Sequence, residues 1–120
     1  KKWRSYMRVQ VENLAQQELI DIYYYNYQYS LRNAIETNEN ILHHIDMLEN
    51  SPYIGRYIPE ISDKYFRQII YIKTRHSRYR IMYYISEKNN IIYVFSIINY
   101  KQNFNTFFKL HNYFKKYKNF

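Results

Sequence analysis

The spacing of apolar residues changes period along the chain, and each change marks an element. Segment 5-SYMRVQV-11 alternates apolar with polar and is rich in β-formers, which predicts a first strand. Asn13 is placed to cap a helix beginning directly after it. Ala15, Leu19 and Ile22 then recur at helical spacing with Tyr23 and Tyr27 beside them, while Gln16, Gln17, Glu18 and Asp21 take the wet side. A helix is therefore expected from Leu14 to about Ser30. A second runs from about Leu31 to Glu49, where Ala34, Ile41, Ile45 and Leu48 form a stripe flanked by Ile35 and Leu42, and Ser51-Pro52 stops it. With so few residues between them, the helices must fold back as an antiparallel hairpin.

Segment 52-PYIGRYIPEISDKYF-66 holds both prolines and the only glycine, and reads as a long ordered loop. Strands are expected over about 67–74, 78–86 and 90–98, with Asn89-Asn90 turning between the last two because asparagine tolerates positive φ. Residues 105–118 read as a basic, aromatic terminal helix or tail, and Phe108, Tyr113 and Phe114 argue that part of it packs. The order β-α-α-β-β-β, with a possible C-terminal helix, predicts an α+β fold: a small antiparallel sheet with the helical hairpin on one face. With 120 residues the chain suits one domain over 1–120, with a core at about 5–104.

Composition removes several functions. There is no cysteine, hence no disulfide and no thiolate chemistry. No run of about 18 apolar residues is present and no secretory leader is visible, so a cytoplasmic protein without membrane association is expected. His43 and Asp46 stand at i, i+3, a spacing metals use, but no third ligand lies near them in sequence; neither metal nor cofactor is expected. The 17 tyrosines accompany a wider bias toward Ile, Asn, Lys and Phe and carry no function by themselves.

Charge adds more. Residues 1–63 hold six Lys/Arg against nine Asp/Glu, a net −3, whereas residues 64–120 hold twelve Lys/Arg against the single acid Glu87, a net +11. Such an asymmetry points to a polyanionic partner for the second half. The cations concentrate in 75-RHSRYRIMYYI-85, a segment otherwise written as a strand. Strand side chains alternate, so Tyr79, Ile81, Tyr83 and Ile85 share one face, and Arg78, Arg80, Met82 and Tyr84 the other. With the helices on the apolar face, the opposite face is expected to lie open and to carry Lys73, Arg75, Arg78 and Arg80, with Tyr71 and Tyr84 among them. Cations interleaved with aromatics suit a nucleic-acid backbone and unstacked bases.

The strand-helix-helix opening with Ala15, the loop 52-PYIGRYIPE-60, and 71-YIKTRHSRYRIMYYI-85 with 91-IIYVFSI-97 after it resemble the RelE/ParE superfamily of type II toxin–antitoxin toxins over about residues 5–104. The resemblance implies a growth-inhibiting toxin neutralised by a small antitoxin, usually an acidic and partly disordered chain. RelE-like members cut mRNA on the ribosome; ParE-like members poison DNA gyrase, and the loop with Gly55-Arg56 and Pro59-Glu60 is closer to the latter. Lys73, Arg75 and Arg80 match basic positions of RelE-like strands. Tyr71 stands where another lysine is expected, and 99-NYK-101 stands where those members place an arginine, with Lys101 as its substitute.

The implied activities are ribosome-dependent mRNA cleavage or, alternatively, gyrase inhibition; a non-catalytic nucleic-acid-binding domain or inactive toxin remnant is the third reading. Metal-free RNA cleavage needs a deprotonated 2′-OH, a stabilised phosphorane and a protonated leaving oxygen. Lys73 and Arg80 are then the catalytic candidates, with His76 as proton-transfer group. Arg75, Arg78 and Lys101 clamp phosphates, and Tyr84 and Tyr100 stack bases.

Overall fold

The structure is a computed structural model that describes residues 7–101 and 106–118. Strand β1 (Arg8–Val11) leads into helices α1 (Asn13–Tyr27) and α2 (Leu31–Asp46), the latter ending in a 3-10 turn at Met47–Glu49. Then come β2 (Arg56–Tyr57), β3 (Phe66–Thr74), β4 (Ser77–Ser86), β5 (Ile91–Asn99) and α3 (Thr106–Lys118). The five strands form one sheet in the order β1-β5-β4-β3-β2. All neighbours are antiparallel except β1, which runs parallel to β5 with Arg8 opposite Ile91 and Val11 opposite Val94. The chain between them, which runs through both helices and strands β2 to β4, is long enough for such a parallel return, as a tight turn would not be.

The expected helices and three long strands are present to within a few residues. Glu12, rather than Asn13, is the N-cap of α1, and it makes no side-chain cap bond there. Ser30 does cap α2, its hydroxyl accepting from the Asn33 N–H at 3.0 Å. Asn90 takes φ 58° in the β4–β5 turn, the one positive φ among the described residues and the conformation its short polar side chain favours.

Helices α1 and α2 lie on one sheet face. Ala15, Ile22, Ile41, Ile45 and Leu48 pack there against Tyr79, Ile81, Tyr83, Ile85, Ile92, Val94 and Ile97. At the far end of this core Asn26 is buried and satisfied: its Nδ2 donates to the Ile22 carbonyl at 2.8 Å and to Tyr79 Oη at 3.3 Å, and its Oδ1 accepts from Asn33 at 3.2 Å.

The opposite face is not open. Ile58, Ile61, Phe66, Met82, Phe95 and Ile98 form a second core there, closed by Tyr113, Phe114 and Tyr117 of α3. Tyr117 stacks on Tyr84 (centroids 4.8 Å) and Tyr93 (5.4 Å), while Tyr113 meets Phe95 at 4.5 Å. Two carboxylates pin this helix. Glu12 Oε1 accepts from Lys116 Nζ and from Tyr117 Oη, both at 3.0 Å, and Asp63 pairs with Lys118 at 3.4 Å. Of the readings of the basic tail, the docked helix is the one found.

Candidate functional site

The loop before β3 shows how its unusual residues are used. Gly55 donates its N–H to Tyr83 Oη at 3.0 Å, and the same hydroxyl donates to the Pro52 carbonyl at 2.8 Å. A Cβ on Gly55 would lie 2.6 Å from Tyr83 Oη and 2.7 Å from the Gln68 backbone oxygen. The single glycine thus answers a close backbone approach, not a left-handed turn. Burial pushes the Tyr83 phenol up to about 12, so it remains a donor through the neutral range. Arg67 ties the loop to the sheet: its guanidinium donates to the Tyr53 and Gly55 carbonyls at 3.1 and 3.0 Å and lies over the rings of Tyr53 and Tyr57.

Pro59 and Glu60 bring a carboxylate under the sheet, and that carboxylate meets Arg80. The guanidinium donates to Glu60 Oε1 and Oε2 at 2.9 and 3.1 Å, and its Nε donates to Gln68 Oε1 at 2.7 Å. Arg80 is only 4% exposed. It is therefore not part of an open cationic face. No acid near it in sequence neutralises it, but Glu60, twenty residues earlier, does so through the fold. Burial tends to raise the Glu60 carboxyl, yet the hydrogen bonds and charge of Arg80 outweigh this and hold it below its usual value.

Strand pairing redistributes the other candidates. Tyr71 lies opposite Tyr79, on the helix face, and Ile70 and Ile72 lie opposite Arg80 and Arg78. Tyr71 is accordingly buried, stacked on Tyr79 at 6.1 Å, against the His44 ring at 5.2 Å and bonded to Asn40 at 3.0 Å. It does not join the cations as alternation from Lys73 suggested. A register shift between Ile72 and Thr74 leaves Lys73 without a cross-strand partner and breaks that alternation. Tyr84 is also removed from solvent contact on one side, because Tyr117 occupies its ring face.

The accessible candidates gather at one end of the sheet. Arg75 and His76 form the β3–β4 turn, with the His76 N–H bonded to Thr74 Oγ1 at 3.2 Å. Arg78 comes next, exposed, and its carbonyl accepts from the Tyr100 N–H at 2.7 Å, which brings Tyr100 and Lys101 beside the turn. Lys73, Arg75, Arg78 and Lys101 have no acidic partner among the described residues. Seven of the eight sequence-derived candidates are therefore either in this cluster or adjoining the α3 face, but Arg80 is held apart by its ion pair. Sequence reasoning missed the Glu60–Arg80–Gln68 network; the 59-PE-60 pair in the loop was its only trace.

A family model for the ParE toxin of type II toxin-antitoxin system, parDE, matches residues 9–104. No curated protein matches the chain. Among solved structures, one described as a chromosomal ParDE TA system from P. aeruginosa superposes with a TM-score of 0.59 at 15% identity, covering 78% of this chain and 95% of that one. At this identity the likeness establishes the fold alone.

Proposed function

Because the chain belongs to the ParE toxin family of type II toxin–antitoxin systems, we propose that it arrests growth by binding DNA gyrase rather than by cutting RNA. A cognate antitoxin is the partner that the family implies. The observation that carries the binding reading is the state of Arg80. A residue that stabilises a phosphorane must aim its donors at an open position, and here all three guanidinium nitrogens are engaged by Glu60 and Gln68. Lys73, Arg75, His76, Arg78, Tyr100 and Lys101 then serve as a contact surface for the target.

The second reading, ribosome-dependent mRNA cleavage by Lys73, Arg80 and His76, draws its support from the unpaired cations beside Tyr100 at the same end. Two assays separate the readings. In a supercoiling reaction with purified gyrase, the protein is expected to inhibit, and Arg75→Ala/Arg78→Ala to weaken inhibition. In cell-free translation the reporter message should stay intact by primer extension. Message cut only when translated, together with unimpaired supercoiling, would replace the first reading by the second.

A further inference from the structure

We infer that the end of the molecule where the α1–α2 turn meets the tail of β5 binds single-stranded DNA, with bases on Tyr25, Tyr29 and Tyr100 and phosphates on Arg75, Arg78 and Lys101. Helix α1 runs alongside β5 in the same direction. Near its start the Glu12 N–H donates to the Val94 carbonyl at 2.9 Å, and near its end Asn26 bonds to Tyr79, which stands opposite Asn99. Strand β1 stops at Val11, opposite Val94. Beyond it Glu18 takes over the outer edge of β5, its carboxylate accepting from the Ser96 hydroxyl at 3.0 Å and from the Ile97 N–H at 2.8 Å. Residues seven apart share a helix face, so Tyr25 lies on the same side of α1 as Glu18, about 10 Å further along. Three strand residues span about the same distance, which brings Tyr25 level with Tyr100. Tyr29 stands against Tyr25, with ring centroids 5.8 Å and hydroxyls 3.5 Å apart. All three rings are open to solvent: Tyr25 is 53%, Tyr29 67% and Tyr100 48% exposed.

Charge selects the ligand. The Tyr100 N–H donates to the Arg78 carbonyl at 2.7 Å, so Arg78 and Lys101 flank this ring, and Arg75 lies in the adjoining β3–β4 turn. None of the three cations has an acidic partner among the described residues. No acid occurs between Asp21 and Glu36 or between Asp63 and Glu87, so neither the α1–α2 turn nor the β3–β4 turn carries one. Open aromatic faces beside unpaired cations match a polymer whose bases are unstacked and whose charge repeats along its length, which is a single strand. A duplex keeps its base faces stacked and offers phosphates alone. A second copy of this chain, docked through the same end, would bring like charges together. The choice of DNA rests on the gyrase reading, which brings the protein to DNA; the stacking geometry stands without it.

The test uses the full chain and a fluorescent thymidylate dodecamer, read by anisotropy. The oligonucleotide should bind, with log affinity falling against log salt at a slope of about −2, the value for three phosphates neutralised on a single strand. Arg78→Ala should reduce that slope by about 0.7. Tyr25→Ala/Tyr29→Ala should weaken binding about tenfold or more, as loss of base stacking does, with the salt slope and thermal unfolding little changed. Tyr25→Phe/Tyr29→Phe keeps the ring faces and should bind as the parent does. A duplex of the same length should compete poorly. A duplex that competes as well as the single strand, or full binding by Tyr25→Ala/Tyr29→Ala, would overturn the inference. Tighter binding of a uridylate dodecamer would overturn the assignment to DNA. Phosphatidylserine vesicles that displace the oligonucleotide, and that the same alanine variant fails to bind, would assign the patch to a lipid surface instead. No gyrase is present in these reactions, so a failure to inhibit supercoiling and a failure to bind the strand are read separately.

Discussion

Arg80 and Glu60 form a pair in which one member is nearly sealed from water and the other a quarter open, with side-chain exposures of 5% and 26%. Removing one partner of such a pair strands the other charge, whose desolvation was offset only by its mate. Glu60→Gln should destabilise by about 3 kcal/mol, toward the low end of what breaking buried pairs costs because Glu60 is partly wet. Thermal denaturation would register it as a fall in Tm on the order of 10 °C. The sign of the pH effect comes from the depressed carboxyl. Its contribution is complete above the ordinary value of 4.5 and is lost as pH falls through the lower folded value. Wild type and Glu60→Gln should therefore converge in stability as the solution is acidified below about that point, which urea titrations at several pH values would reveal. Gly55→Ala meets two obstacles, Tyr83 Oη and the Gln68 carbonyl. The expected loss is roughly 1–3 kcal/mol, and adding Tyr83→Phe should not restore it, since the backbone obstacle stays. Thr37 is the reverse case: its hydroxyl is buried without a partner among the described residues. Thr37→Val should be neutral or stabilising, by up to about 1 kcal/mol.

At the scale of elements, α3 is the part that changes the meaning of the sheet. Its aromatic content made part of it readable as packing, with Tyr113 and Phe114 among the residues that do so, but not the role of Tyr117. Which surface it covers was not readable, because the ring partners Phe66, Tyr84, Phe95 and Tyr93 come from three different strands. Helix spacing likewise gave the α2 stripe but not the buried Asn26, whose place depends on Tyr79 and Asn33. The faces of β4 came from alternation alone. Those of β3 did not, since the irregularity near Lys73 shifts register by an amount no local pattern records. The clamp on α3 gives a prediction of its own. Burial raises the Glu12 carboxyl, but bonds from Gln10, Lys116 and Tyr117 prevail and lower it. Tyr117→Ala removes a stacked ring and one of those bonds, and should cost about 3 kcal/mol while exposing Phe66 and Phe95. Increased binding of a hydrophobic dye before global unfolding would be the signature.

Over the whole molecule the charges separate more than the linear count implies. The α1–α2 hairpin carries half of the ten acids, while the far end of β3, β4 and β5 carries free cations. Arg75, Arg78 and Lys101 should dominate retention on an immobilised polyanion, and replacing the first two by alanine should lower the eluting salt concentration without altering the fold. The asymmetry itself was legible from the sequence, as was the α+β layering. The sealing of Arg80 was not, for its carboxylate partner stands twenty residues earlier, in a loop on the far side of β3 in sequence.

The parallel seating of β1 beside β5 also sets a timetable. Strands β3, β4 and β5 are joined by short turns and are able to assemble from contacts near in sequence, whereas Arg8 must wait for Ile91. As the polypeptide leaves the ribosome, β1 emerges before the other described strands and is among the last to find its neighbour. Until then α1 has no complete floor, since Ile92, Val94 and Ile97 lie on that late strand. The sheet therefore stays unfinished until β5 has been made, and a product that stopped before β5 would lack the floor on which the cationic end depends.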